Sequence, residues 1–181
     1  MKRTGFFFMA IALMGLIYSC KKLDKLTQFD LDYTTNVTIK AATIVSVNTP
    51  FSFNTPPVTT NSESQLEVND SRKDLVEQIK VKKLKMKITS PPGQTFDFLK
   101  SIKIYINAEG LDEKLIAWKT DMGDDGATEI ELETSDDNLK EYILKDSFTL
   151  RTETVTDQLI TQDTDIEIDA VFWVDAKILG I

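Results

Sequence analysis

The last stretch of the chain places an apolar side chain at every second position. Ile166, Ile168, Ala170, Phe172, Val174, Ala176 and Ile178 share one phase, and mostly charged or polar residues hold the other. Successive strand side chains point to opposite faces, so this is a long strand with one buried side. Shorter runs repeat the pattern. Phe29, Leu31 and Tyr33 alternate, as do Ile102, Ile104 and Ile106, and Phe148 and Leu150. Val37 and Ile39, Ile44-Val45 and Val47, Phe51 and Phe53, and Leu66 and Val68 add further strand segments. Ile79 and Val81 alternate in one phase and Leu84, Met86 and Ile88 in the other, so a β-bulge or the beginning of a strand is expected at Lys82-Lys83. Ile130 and Leu132 read as one strand, and Leu115 to Lys119 as another.

Many short strands punctuated by turns such as Pro91-Pro92-Gly93 predict an all-β fold. The expected form is a two-sheet antiparallel β-sandwich, like immunoglobulin or fibronectin type III domains in architecture only, with a closed barrel as the alternative. Two short connecting helices are expected. One begins near Ser71, with Leu75 and Ile79 inward, and one near Ser135, with Leu139, Tyr142 and Ile143 inward. Val58 to Ser64 reads as a polar loop. Residues 65–107 align without a gap on 129–171, which raises an internal two-fold repeat of strand–helix–strand–strand halves.

The start of the chain has a different character. Met1-Lys2-Arg3 is basic, Phe6 to Tyr18 is apolar, and Cys20, the only cysteine, closes the run before Lys21 and Lys22. A membrane span needs about 20 apolar residues, more than this stretch supplies. A basic start, a short apolar core and a small residue at the cut mark a secretory signal. The box Ile17-Tyr18-Ser19-Cys20 resembles the cleavage site of bacterial lipoproteins. That resemblance implies removal of residues 1–19, a thioether-linked diacylglycerol on Cys20 and usually an acyl group on the new terminus. It also implies a site in the bacterial cell envelope, with the membrane as partner. Residues 20–28 would then be a lipidated cysteine and short tether, and 29–181 a single sandwich domain. The mature part resembles envelope lipoproteins of unknown function. The run after Cys20 lacks an acidic cluster, which favours the periplasmic side of an outer membrane.

Composition removes several kinds of chemistry. The chain has no histidine, so Ser-His-Asp and Cys-His nucleophile systems cannot be built from it. Zinc sites on His or Cys sets fail for the same reason. A net charge of −8 opposes nucleic-acid binding, which needs stripes of Lys and Arg. No Gly-rich phosphate loop occurs, and no cofactor is implied. Asp121 to Gly126 carries the acids of a calcium loop but has Gly123 at the third position and Leu132 at the twelfth. An acidic turn is the expected reading. Glu129, Glu131 and Glu133, and likewise Asp165, Glu167 and Asp169, line strand faces opposite apolar residues. Paired acids serve glycosidases at separations of about 5–9.5 Å, but here they read as the solvated side of amphipathic strands.

Trp173 and Val171 fall in the outward phase, and the offset repeat puts Tyr105 in the same register. Exposed Trp and Tyr on a sheet can stack on sugar rings, so these two are the candidate ligand-binding residues. Burial of that end of the sheet under another element is the competing expectation. The chain thus reads as a non-catalytic binding or structural lipoprotein with an envelope protein as partner. A carbohydrate-binding or glycan-processing accessory is the alternative.

Overall fold

The computed structural model describes residues 27–41 and 46–177. The signal, Cys20, the tether up to Leu26, the Ile44-Val45 segment and Ile178 lie outside the described residues.

Two antiparallel sheets stack face to face. The four-stranded sheet runs in the order β1 (Gln28–Ile39), β10 (Thr164–Ala176), β4 (Val76–Ser90) and β7 (Glu129–Glu131). The six-stranded sheet runs β2 (Phe51–Asn54), β9 (Ser147–Thr156), β5 (Leu99–Asn107), β6 (Lys114–Lys119) and β8 (Glu133–Thr134), with β3 (Val58–Thr59) also paired to β9. Strict alternation in β10 buries Ile166, Ile168, Ala170, Phe172, Val174 and Ala176 on one face. That face meets the inward rows Phe148 and Leu150 of β9 and Ile102, Ile104 and Ile106 of β5. The expected sandwich is what the chain forms.

Three rings lock the sheets together. Tyr33 of β1 and Phe172 of β10 stand edge-on to each other with centroids 5.8 Å apart. Phe148 of β9 meets Tyr33 at 5.4 Å and Phe172 at 6.0 Å, also edge-to-face. Such geometry aligns the positive edge of one ring with the negative face of another. The Tyr33 hydroxyl donates to the Thr60 carbonyl at 3.0 Å, and its burial pushes the phenol up to about 12.

The bulge falls where the phase change places it. Along β10–β4, Val171 faces Lys83 and Phe172 faces Val81, leaving Lys82 as the extra residue. One extra residue restores both apolar phases to the same inner face.

Several expectations are corrected. Leu66 and Val68 are not strand but lie in helix α1 (Ser62–Val68), with Leu66 buried and Val68 84% exposed. Ser71 does not start a helix; it closes one. Its N–H donates to the Leu66 carbonyl and that of Asp70 to Glu67, with Asp70 at φ 52. This is the Schellman pattern at a helix end. Leu75 therefore leads into strand β4, which starts at Val76 and contains Ile79. The segment 58–64, expected as a loop, holds β3 and the start of α1.

The second helix, α2 (Lys140–Ile143), buries Tyr142 and Ile143, with Leu139 buried just ahead of it, so its inward face is as expected. Ser135 is not its cap; its N–H donates to Ile116 of β6. Asn138 Oδ1 instead accepts from the N–H groups of Lys140 and Ile79, fixing the turn to β4. Finally, Ile130 and Leu132 are not one strand. β7 pairs with β4 in one sheet and β8 with β6 in the other, so the chain changes sheets at Leu132. In the two aligned halves, 84–88 and 148–152 are both strand, as are 102–104 and 166–168. Residues 65–79 and 129–143 form different elements.

Two predictions follow from this core. Phe172 is fully buried in the ring cluster. Phe172→Ala is expected to lower unfolding free energy by about 3–5 kcal/mol in a urea melt; a change under about 1 kcal/mol refutes the cluster's role. On β9, Thr154 is 1% exposed, and its hydroxyl has no hydrogen-bond partner among the described residues. Thr154→Val keeps the shape and removes that hydroxyl, so a gain of about 1 kcal/mol is expected. A loss in the same melt contradicts the assignment.

Candidate functional site

The sandwich has two outer faces, and each carries one of the candidate aromatics. Trp173 projects from β10 on the four-stranded sheet and Tyr105 from β5 on the six-stranded sheet. Both are half-buried. They lie on opposite sides of the molecule and cannot stack on one ligand. The two candidate residues therefore do not form one aromatic platform. The offset alignment matches strand phase but does not report which sheet a strand joins.

On the Trp173 face, lysines of β4 alternate with acids from both neighbours. Lys85 stands opposite Asp169 of β10 and Glu131 of β7, and Lys87 opposite Glu167 and Glu129. Lys85 hydrogen-bonds Glu129. That bond holds the Glu129 carboxyl below its ordinary value and the Lys85 ammonium above its own. Trp173 pairs in register with Asp30 of β1 on one side and Lys80 of β4 on the other. Lys82, the bulge residue, donates to Asp30 Oδ2 at 2.6 Å. β10 lies between those two strands, so the Lys82–Asp30 pair spans it. Gln28, Phe29, Asp30, Lys82 and Trp173 line one shallow recess.

The Tyr105 face centres on Arg151 of β9. Its Nε and Nη2 donate to the two carboxylate oxygens of Glu113 at 2.6 and 2.7 Å. Its Nη1 donates to Ser52 Oγ at 3.2 Å, and its guanidinium lies 4.3 Å from the Tyr105 ring centre. A planar fork suits both contacts, the carboxylate in its plane and the ring across it. Arg151 thus ties together β2, β9, β5 and the loop before β6. The hydrogen bond from Arg151 is the main reason the Glu113 carboxyl titrates below its ordinary value. Trp118 of β6 also belongs to this face. It pairs with Lys103 of β5 and donates from Nε1 to Glu133 Oε2 at 3.0 Å. Sequence reasoning missed Trp118 because a bulge opposite Ile104-Tyr105 hides its phase.

The acidic rows divide as the sheets do. Glu129 and Glu131 serve the β4 lysines, while Glu133, across the Leu132 crossing, binds Trp118. In the Asp121 to Gly126 turn, Asp97 Oδ1 accepts from the Gly126 N–H and Asp125 Oδ1 from the Ala127 N–H. Asp125 closes the turn locally, and Asp97 ties it to the stretch ahead of β5. Among the described residues no group of acids is placed to hold a metal ion.

No protein family and no curated protein matches this chain. Solved structures match it distantly. The capsid of Helicobacter pylori bacteriophage KHP30 covers 81% of this chain and 92% of its own at 7% identity and a TM-score of 0.35. The decameric BFDV capsid protein covers 83% and 99% at 10% identity and a TM-score of 0.38. The FLHE crystal structure covers 83% and 98% at 8% identity and a TM-score of 0.28. At these scores the likenesses carry no functional argument.

The ion pairs set a pH dependence. Glu113, Glu129 and Asp163 have lowered values, caused first by hydrogen bonds from Arg151, Lys85 and Lys40. A lowered carboxylate stabilises the fold above its unfolded value and loses that contribution as pH falls through the folded one. Unfolding free energy is therefore expected to drop below pH 4.5, the ordinary glutamate value. Glu113→Gln is expected to be less stable at neutral pH and to flatten the acid limb. An unchanged acid limb in urea melts of that variant contradicts the Arg151 assignment.

Proposed function

We propose that this chain is a lipid-anchored bacterial envelope protein whose sandwich is a non-catalytic binding or structural module. The observation that carries the reading is the position of Cys20. It ends the apolar stretch inside Ile17-Tyr18-Ser19-Cys20, and the folded domain's first strand begins soon after, at Gln28. Lys21 to Gln28 reaches at most about 28 Å when extended. Lipid on Cys20 would hold the domain close to its membrane, in our reading the outer membrane on its periplasmic side.

β1 begins at one pole of the sandwich. Gln28 pairs with Asp175 at the end of β10, and Lys177 donates from its N–H to Leu75 just ahead of β4. α2 lies at the same end, where Leu139 donates to Ile79 and Lys140 hydrogen-bonds Val76. The acidic turn and the Pro91-Pro92-Gly93 turn lie at the other pole, past the far ends of β4 and β5.

The state of the surface carboxylates supports a non-catalytic role. Those whose titration shifts are pulled down by cations, whereas a general acid needs its value raised. Two or more acyl chains anchor firmly, one only marginally. Cys20→Ala is therefore expected to abolish labelling by radioactive palmitate and release the protein from the membrane fraction. Label retained by that variant overturns the proposal.

A further inference from the structure

β1 is an edge strand unlike the other edges. Among the described residues its outer side pairs with no strand, and it is 12 residues long. The remaining edges are short: β7 has 3 residues, β2 has 4, β3 has 2 and β8 has 2. Proteins blunt long edges with bulges, prolines or lysines, because unpaired backbone groups template another strand. β1 has no bulge, proline or lysine between Gln28 and Ile39, and its two charges, Asp30 and Asp32, lie toward one end. Its register with β10 runs without a shift from Gln28–Asp175 to Ile39–Thr164, whereas β10–β4 is interrupted three times.

We infer that the free edge of β1 pairs with β1 of a second copy of this chain, antiparallel, about a two-fold axis at Thr34. The side-chain order of β1 favours that occupant. Centred on Thr34, the pairing sets Asp30 against Thr38 and Asp32 against Asn36, and Thr34 against itself. Asp32 meets the Asn36 amide, which can donate to it; Asp30 meets Thr38, whose hydroxyl already donates to Asp165; and no acid meets an acid. Sliding the register until Asp32 faces Asp32 opposes like charges, which destabilises a strand pair. On the inner face Leu31 meets Val37, so the two buried rows continue across the junction. A two-fold contact of this kind uses the same patch on both copies and closes on itself. It joins the two four-stranded sheets into one.

The inference goes beyond the lipid anchor and stands without it. The test uses the full chain in membranes and in detergent. Thr34→Cys, oxidised in membranes, is expected to give a band of twice the mass, stronger than that from Asp32→Cys, Asn36→Cys or the opposite-face control Lys103→Cys. The parent chain is the control for Cys20: a doubled band there reports a free Cys20 thiol and counts against lipidation, not against pairing. Light scattering in detergent is expected to show a dimer for the parent. Thr34→Lys, which opposes two cations on the axis, is expected to be a monomer with an unchanged circular dichroism spectrum. A monomeric parent, equal crosslinking at Lys103→Cys, or crosslinking of Thr34→Cys to a protein of another mass overturns the inference.

Discussion

β10 is the strand on which the four-stranded sheet depends. It pairs with β1 along one side and β4 along the other, and it is the last strand of the chain. Neither neighbour pairs with the other. Until β10 is in place, β1 has no strand partner in its sheet and β4 has only the three residues of β7. Pairing strands from the two ends of the chain carries a loop-closure cost, recovered only when the inner faces bury together. The ring cluster of Tyr33, Phe148 and Phe172 gathers β1, β9 and β10 at the point where that burial is densest. With a single cysteine, no internal disulfide shares the work.

The two outer faces solve the same problem differently. On the four-stranded sheet, acid columns flank a lysine column, so charge is distributed in rows set by strand register. Exposed pairs of this kind contribute little each, and their value lies more in fixing register than in stability. On the six-stranded sheet one Arg151 engages a carboxylate, a hydroxyl and a ring together. The first face tolerates loss of a member; the second concentrates its organisation in one side chain.

Much of this was legible in the sequence where the physics is local. The β10 alternation and the Lys82 phase change depend only on the two-residue strand period, and both appear as read. Leu66 and Val68 misled because a short helix with one buried residue gives the same apolar–polar–apolar spacing as a strand end. Ser71 has the chemistry of a cap but sits after its helix, where the backbone of Asp70 turns left-handed. Trp173 and Tyr105 have the outward phase expected of them, yet long-range pairings such as Trp173 with Lys80 and Tyr105 with Arg151, governed by chain closure rather than local preference, help decide which sheet each strand joins. The proposed lipoprotein signal and the tether after it rest on residue types alone.

The crossing at Leu132 makes the sandwich asymmetric. On that side a single residue links the sheets, with its N–H bonded to Leu84 and the next strand already held by β6. On the opposite side β1 and β2 are joined only through the longer stretch 40–50. The sheets are thus covers bound along one spine. The chain path alone would leave the front, at the β1 and β2 margin, open, and Tyr33 of β1, packed on Phe148 and bonded to Thr60, closes it.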